Sequence, residues 1–146
     1  MIDNKLIGRK LPRSVLSVEP GRLRFFAKAI GETNPVYFDL AVARAAGYPD
    51  LPAPPTFIFA AELDAGAMAK CLTEMGVNLG RVLHGEQAFT YHEPVHAGDT
   101  ITVETRISDI YDKRGGALEF IVMDSGATNQ HGRPVAEMRS VLVVRH

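Results

Sequence analysis

Histidine is absent from the first half of this 146-residue sequence, because all 5 histidines lie at or beyond His84. Imidazole is the side chain that normally titrates near neutral pH, so acid–base chemistry in the front half has to use other groups. Cysteine is scarce too: Cys71 is alone and cannot form a disulfide within the chain or a thiolate metal site by itself. A lone cysteine is typical of a protein in a reducing cytoplasm, so we expect a cytoplasmic location.

Net charge and long apolar runs are lacking as well. Sixteen basic and 17 acidic residues leave a net charge of -1, which predicts no electrostatic recruitment of nucleic acid or anionic lipid. No apolar run approaches the ~20 residues of a membrane span, and the first residues do not read as a signal peptide. We therefore expect neither a nucleic-acid nor a membrane partner. The length and the 46% hydrophobic content predict one globular domain over residues 1–146.

The front half carries the helical patterns. A short strand is predicted over 13–18, followed by an amphipathic helix over 20–30 that begins with a proline and stops at a glycine. Asp39 is placed to cap a short helix that ends at Gly47. These segments predict two surface helices ahead of the centre of the chain.

The centre of the chain combines a stiff loop with an apolar helix. Residues 47–55 contain four prolines, which predicts an ordered loop rather than a helix or a central strand. Residues 56–75 are apolar on nearly every side, a pattern typical of a buried helix. Gly66 lies in the middle of this segment, where glycine costs about 1 kcal/mol of helix propensity relative to alanine. We interpret it as a point where another backbone passes close by.

The second half changes to strand patterns. Four long strands are predicted, and glycine-containing turns at 113–116 and 129–132 connect the last three. The strands span Arg81 to Tyr91, Thr100 to Tyr111, Leu118 to Ala127 and Val135 to Arg145. Consecutive hairpins would make the sheet antiparallel. The predicted fold class is therefore α+β, with the sheet wrapped around a long central helix over about residues 56–75.

Two stretches connect the sequence to a known family. The first reads Gly-Glu-Thr-Asn-Pro-Val-Tyr at 31–37 and leads to Ala-Pro at 53–54; the second runs from His84 to Asp99 and includes His-Glu-Pro-Val-His-Ala-Gly-Asp. They resemble the MaoC-like dehydratase and (R)-specific enoyl-CoA hydratase family, and in particular its N-terminal or non-catalytic dehydratase-like subunits. The resemblance covers nearly the whole chain and implies a hot-dog fold.

Three positions depart from the family pattern. The resemblance implies an aspartate and a histidine that hold the reacting water, but this chain has Glu32 and Tyr37 at those positions. Tyrosine is a hydrogen-bond donor near pH 7 rather than a proton shuttle. The family also places a glycine after Ala-Pro, whose N–H binds the thioester oxygen, and Pro55 has no N–H to donate. Loss of one oxyanion donor typically costs ~2.7–4 kcal/mol of transition-state stabilisation.

Further site candidates follow from the resemblance and from strand spacing. Asn34, Thr56 and Phe57 flank the substituted positions and are candidate substrate contacts, although a turn residue, a helix cap and a core aromatic are the structural alternatives. His84, Glu86 and His92 would share one face of a regular strand. His84 and Glu86 could then act as an acid–base pair or line a subunit boundary. Their spacing matches no standard zinc motif, so no metal site is predicted.

The resemblance implies hydration or dehydration of enoyl or 3-hydroxyacyl thioesters of coenzyme A or acyl carrier protein, with no redox cofactor. The substitutions predict a catalytically degenerate subunit that pairs with an active hot-dog partner. Two alternatives stay open. One is an autonomous homodimeric hydratase or thioesterase that uses Glu32 or the pair of His84 and Glu86. The other is a non-enzymatic subunit that binds acyl thioesters.

Overall fold

The computed structural model describes all 146 residues and contains four α-helices and five strands. The helices are α1 (Pro20–Ala29), α2 (Leu40–Ala45), α3 (Ile58–Asp64) and α4 (Ala67–Glu74). The strands are β1 (Ser14–Ser17), β2 (Val82–Tyr91), β3 (Thr100–Lys113), β4 (Leu118–Thr128) and β5 (Pro134–Arg145). The predicted α+β class is confirmed, and Asp39 caps α2 through the backbone N–H groups of Ala41 and Val42 as predicted. None of the helices has the length and apolar character needed to cross a membrane.

All five strands form one antiparallel sheet in the order β1-β3-β4-β5-β2. The hairpins β3–β4 and β4–β5 are confirmed at the predicted turns. The prediction of consecutive hairpins throughout is wrong for β2, which pairs with β5 rather than with its sequence neighbour β3. As a result β2 is an edge strand, and one side of its backbone has no partner within the chain.

The core lies between the inner face of the sheet and the helices, and it consists of two hydrophobic clusters. The larger one has 16 buried residues and packs around Leu23, Phe57 and Ile101. The smaller one has 12 and packs around Met68, Ile107 and Met123. Because the side chains of β3 alternate between the two faces, its inner residues are buried while its outer residues meet solvent.

The long central helix predicted over 56–75 is interrupted. Its first residues form a 3-10 turn at Pro55–Phe57, α3 ends at Asp64, and α4 begins at Ala67. Gly66 lies at the break with a φ of 64°, a left-handed conformation that favours glycine. A Cβ at this position would meet no atom within 4 Å, so the expected close backbone is wrong. Gly66 therefore provides the left-handed backbone conformation at the break between α3 and α4.

The central segment is also less apolar in its packing than its sequence indicates. Leu63 is 54% exposed, whereas Glu62 is only 1% exposed. The Oε1 atom of Glu62 accepts hydrogen bonds from the hydroxyls of Thr105 at 2.6 Å and Ser125 at 3.0 Å. Its Oε2 atom is buried and has no partner. The sheet thus binds a carboxyl group at a position where the pattern predicted only hydrophobic contacts.

Candidate functional site

A chamber of about 280 Å³ lies beside the start of α3, at the end of the free edge strand β2. Its walls are mostly apolar and come from the proline loop, from α3, from the segment after β2 and from the start of β5: Pro52, Ala53, Pro54, Pro55, Ile58, Pro94, Val95, Val135 and Ala136. Its polar groups are those of Tyr37, Tyr48, Tyr91, His92 and Glu93. We call this cavity the tyrosine chamber.

Two of the three positions where the family pattern is broken line the chamber. Tyr37 ends the 3-10 turn Pro35–Tyr37, and Pro55 begins the 3-10 turn ahead of α3. The fixed φ of a proline suits the first position of a helical turn, which explains why the chain turns here without a side-chain cap. The same proline ring leaves this wall of the chamber without an N–H group at residue 55.

Electrostatics set the protonation of the chamber's phenols. Burial raises the pKa of Tyr37 above its usual value near 10, and the charge of Glu32 and the neighbouring Tyr48 raise it further. Burial also raises the pKa of Tyr91. Both side chains therefore carry their proton at neutral pH and can donate it in a hydrogen bond.

The side chains of Glu32 and Asn34 act within their own turn. The carboxylate of Glu32 accepts from the backbone N–H of Thr33 at 2.8 Å and of Asn34 at 2.9 Å. The side chain of Asn34 caps the following 3-10 turn by accepting from the N–H of Val36 at 3.1 Å. Glu32 thus influences Tyr37 through its charge, while neither Glu32 nor Asn34 lines the chamber.

Thr56 and Phe57 also lie outside the chamber lining. Thr56 is exposed, and no side-chain hydrogen bond caps the start of α3. Phe57 is 1% exposed and packs edge-on against Phe26, with ring centroids 5.4 Å apart. It belongs to the core, which was its structural alternative.

The expectation that His84, Glu86 and His92 share one face is wrong. A β-bulge at Gly85 shifts the register, so His84 lies opposite Leu142 while Glu86 lies opposite Val141. Adjacent residues of β5 point to opposite faces, and the bulge therefore separates His84 from Glu86. A Cβ on residue 85 would approach a methyl group of Val143 to 2.9 Å, so only glycine fits there.

His84 occupies the inner face, where its ring packs on Phe59 with centroids 5.3 Å apart. Its Nε2 atom lies 3.1 Å from the backbone oxygen of Glu86 and 3.0 Å from Oε1 of Gln87. Because a carbonyl oxygen can only accept, Nε2 carries the proton. This contact holds His84 within β2, away from the residues that line the tyrosine chamber.

Sequence reasoning missed Tyr48 and Tyr91. The chain has 4 tyrosines, and three of them line this one cavity. Tyr48 is positioned by packing on the ring of His96, with centroids 5.7 Å apart, and Tyr91 by stacking on Phe89 at 5.6 Å. Tyr48 and Tyr91 belong to the two family-like stretches and could have been singled out from them, but no sequence signal brings the two residues to the same cavity.

A larger depression of about 580 Å³ lies across the outer face of the sheet. Four of its charged side chains are paired with one another: Arg13 with Glu104 at 2.7 Å and Arg139 with Asp124 at 3.0 Å. Such exposed pairs satisfy their own charges and bring no reactive group together. The tyrosine chamber is therefore the better candidate site.

The chamber can donate hydrogen bonds more readily than it can transfer protons. Apart from the three tyrosines, the polar side chains of the chamber are His92 and Glu93. His92 is paired with Glu137 and Glu93 with Arg133, both at 3.4 Å. The half-buried Tyr37 and the 49% exposed Tyr91 both keep their phenol protons at neutral pH and lie beside apolar walls. This arrangement suits a ligand with an apolar body and a hydrogen-bond acceptor at one end.

Comparisons with known proteins agree with this geometry. One chain of the HadBC (3R-hydroxyacyl-ACP dehydratase) complex from Mycobacterium tuberculosis superposes with a TM-score of 0.79 at 28% identity, over 94% of this chain and 96% of that one. The R-hydratase PhaJ1 from Pseudomonas aeruginosa gives a TM-score of 0.74 at 21% identity, over 96% of this chain and 82% of that one. These likenesses confirm the predicted hot-dog fold.

Sequence comparison leads to the same group. A UPF0336 protein of Saccharopolyspora erythraea is 36% identical over 146 residues, which cover 99% of this chain and 92% of that protein. The profile of the FAS1-like dehydratase domain region matches residues 5–138. The MaoC-like resemblance stated from residues 31–37 and 84–99 is thus confirmed, and the chain belongs to the FAS1-like dehydratase domain family.

Proposed function

We propose that this protein is a catalytically degenerate subunit of a dehydratase or hydratase that acts on enoyl or 3-hydroxyacyl thioesters of coenzyme A or acyl carrier protein. The observation that carries the proposal is the tyrosine chamber. It contains Tyr37, at the position where the family resemblance implies the histidine, together with Pro55, whereas Glu32, at the position of the implied aspartate, lies outside its lining. In this subunit the chamber holds part of the substrate and does not activate water.

The chemistry of three residues supports the loss of activity. The carboxylate of Glu32 is engaged by two backbone N–H groups of its own turn and lies outside the chamber lining, so it is not positioned to take a proton from water in the chamber. A neutral Tyr37 cannot accept a proton from water at pH 7. Pro55 removes an oxyanion donor whose loss typically costs ~10²–10³ in kcat. All three changes lower the rate of the same reaction.

The free edge of β2 supports pairing with a second hot-dog chain. The tyrosine chamber includes Tyr91 at the end of this strand and His92 beyond it, so a second sheet that pairs with β2 would border the chamber. The similar chain of Mycobacterium tuberculosis is part of a dehydratase complex. We infer that this chain pairs with a catalytic hot-dog chain in the cytoplasm, a location that suits its single, buried and unpaired Cys71.

Hydration of crotonyl-CoA and longer enoyl-CoAs by the purified protein tests the proposal. We expect no turnover by the chain alone and turnover after co-expression with a hot-dog partner that carries the intact aspartate and histidine. Within that complex, Glu32→Gln should leave kcat unchanged. Robust turnover by the chain alone, abolished by Glu32→Gln, would contradict the proposal and support an autonomous enzyme. Thioester binding without turnover in any complex would instead support the alternative of a non-enzymatic subunit that binds acyl thioesters.

A further inference from the structure

Three phenols from distant parts of the chain converge on the tyrosine chamber. Tyr37 ends a 3-10 turn, Tyr48 lies in the proline loop, and Tyr91 ends strand β2. Two of these rings are fixed by aromatic contacts, Tyr48 on His96 and Tyr91 on Phe89. The rings of Tyr48 and Tyr91 are thus positioned before any ligand arrives, which lowers the entropic cost of binding.

These phenols have unused hydrogen-bonding capacity. Burial and neighbouring charge, with no contribution from a hydrogen bond, raise the pKa of Tyr37, and burial alone raises that of Tyr91. The side chain of Tyr37 is half-buried, whereas that of Tyr91 is 49% exposed and its phenol can bond to water. Both phenols can therefore donate to a ligand that enters the chamber and displaces water.

The acceptor's chemistry is restricted by what surrounds the phenols. The walls are formed by prolines and aliphatic side chains, the nearby charge of Glu32 is negative, and the carboxylate of Glu93 is paired with Arg133 at 3.4 Å. Negative charge disfavours a phosphate or carboxylate, whereas a neutral carbonyl oxygen accepts from phenols at no such cost. The ligand end that fits is an uncharged carbonyl attached to an apolar group.

We propose that the phenols of Tyr37 and Tyr91 bind the carbonyl oxygen of the acyl thioester, in place of the backbone N–H that is missing at Pro55. This inference rests on the proposed function and assigns it a binding determinant. The carbonyl oxygen has two lone pairs and accepts from both phenols. Tyr48 packs against the acyl group as part of the wall. The subunit thereby binds and polarises the thioester carbonyl, but the chamber offers no base that would activate water for attack.

Two ligands that differ by one oxygen atom test the assignment: butyryl-CoA, a thioester, and S-butyl-CoA, a thioether without the carbonyl. Isothermal titration calorimetry on the full chain, alone and in complex with its hot-dog partner, gives both affinities. Two neutral hydrogen bonds predict that the thioester binds ~10-fold more tightly than the thioether. Tyr37→Phe and Tyr91→Phe should each reduce this ratio several-fold. Tyr111→Phe, which changes the remaining tyrosine outside the chamber, should leave it unchanged.

Infrared spectroscopy provides a readout that does not depend on the variants. Hydrogen bonds to the bound thioester should move its carbonyl stretch to lower frequency relative to the free ligand, and Tyr37→Phe should return part of that shift. Equal affinity of the wild-type protein for thioester and thioether, with an unshifted carbonyl band, overturns the inference while the proposed function stands. Failure to bind either ligand, alone or with a partner, overturns the proposed function and this inference together.

Discussion

At the scale of single residues, the buried carboxyl of Glu62 was the least predictable feature. It lies among apolar neighbours in the sequence, and helical spacing gave no reason to separate it from them. Its environment is provided by Thr105 and Ser125, which lie opposite each other on β3 and β4. Their hydroxyls come within 2.9 Å of each other as well as bonding to Glu62. Only the register of two distant strands creates this cluster.

Thr105→Val tests the cluster. The substitution removes the hydroxyl that donates to Glu62 Oε1 at 2.6 Å and leaves a buried carboxyl with one donor. We expect the free energy of unfolding to fall by about 1–3 kcal/mol, measured by urea denaturation. Thr102→Val, at a half-buried position of the same strand, is the control and should stay within about 0.5 kcal/mol of wild type. Equal stability of the two variants would contradict a structural role for the cluster.

The chamber tyrosines predict a loss of stability at alkaline pH. Their pKa values are raised in the folded state, so above about pH 10 the unfolded chain releases phenol protons that the folded chain retains. Deprotonation therefore favours unfolding, and the free energy of unfolding declines as pH rises.

The double variant Tyr37→Phe, Tyr91→Phe isolates this effect. Its stability should decline less steeply above about pH 10 than that of wild type, while the two curves run parallel below about pH 9. All other ionisable groups are common to both proteins, so their contributions cancel in the difference. Urea denaturation at a series of pH values measures the curves, and an identical alkaline slope would contradict the raised pKa values.

At the scale of elements, periodicity and turn residues were sufficient to locate most helices and strands. The exception is the central helix, where the apolar pattern continues through a break at Gly66. Residue types indicate which side chains will be buried. The direction of the backbone at one glycine depends instead on how α3 and α4 pack on the sheet. Gly66 was noticed, yet its role was misassigned because the same residue serves both close packing and positive φ.

Two glycine substitutions distinguish these roles. Gly66→Ala forces a left-handed conformation on alanine and should destabilise the protein by about 1–2 kcal/mol, although no atom obstructs the new Cβ. Gly21→Ala, in α1 and equally unobstructed, should stabilise it by about 0.4–1 kcal/mol by restricting the unfolded chain. Thermal denaturation should show Tm shifts of opposite sign. Shifts of the same sign would refute a conformational role for Gly66.

At the scale of the whole molecule, strand order leaves one edge of the sheet open. Because β2 pairs with β5 at the far side of the meander, the sheet ends in a ten-residue strand with a free edge. Such an edge is a template for pairing with another chain. The tyrosine chamber lies at the end of this edge, so the proposed assembly and the proposed ligand binding would involve the same region.

Native mass spectrometry tests the assembly. We expect a particle that contains at least two hot-dog chains, either two copies of this 15.9 kDa chain or one copy with a catalytic partner. Pairing should also raise the Tm with increasing concentration of the partner, because the partner binds the folded state. A stable particle of 15.9 kDa in the presence of every hot-dog chain tested would contradict this expectation.

The sequence by itself determined the α+β class, the main turns and the family, and it shows Glu32, Tyr37 and Pro55 at the positions where the family resemblance implies an aspartate, a histidine and a glycine. These features are local, because periodicity, turn chemistry and residue identity can be read along the chain. Tertiary structure decided that β2 is an edge, that Gly85 separates His84 from Glu86, and that three phenols share one cavity. Each of these depends on strand register and on contacts between distant segments, where a shift of one residue moves a side chain to the opposite face.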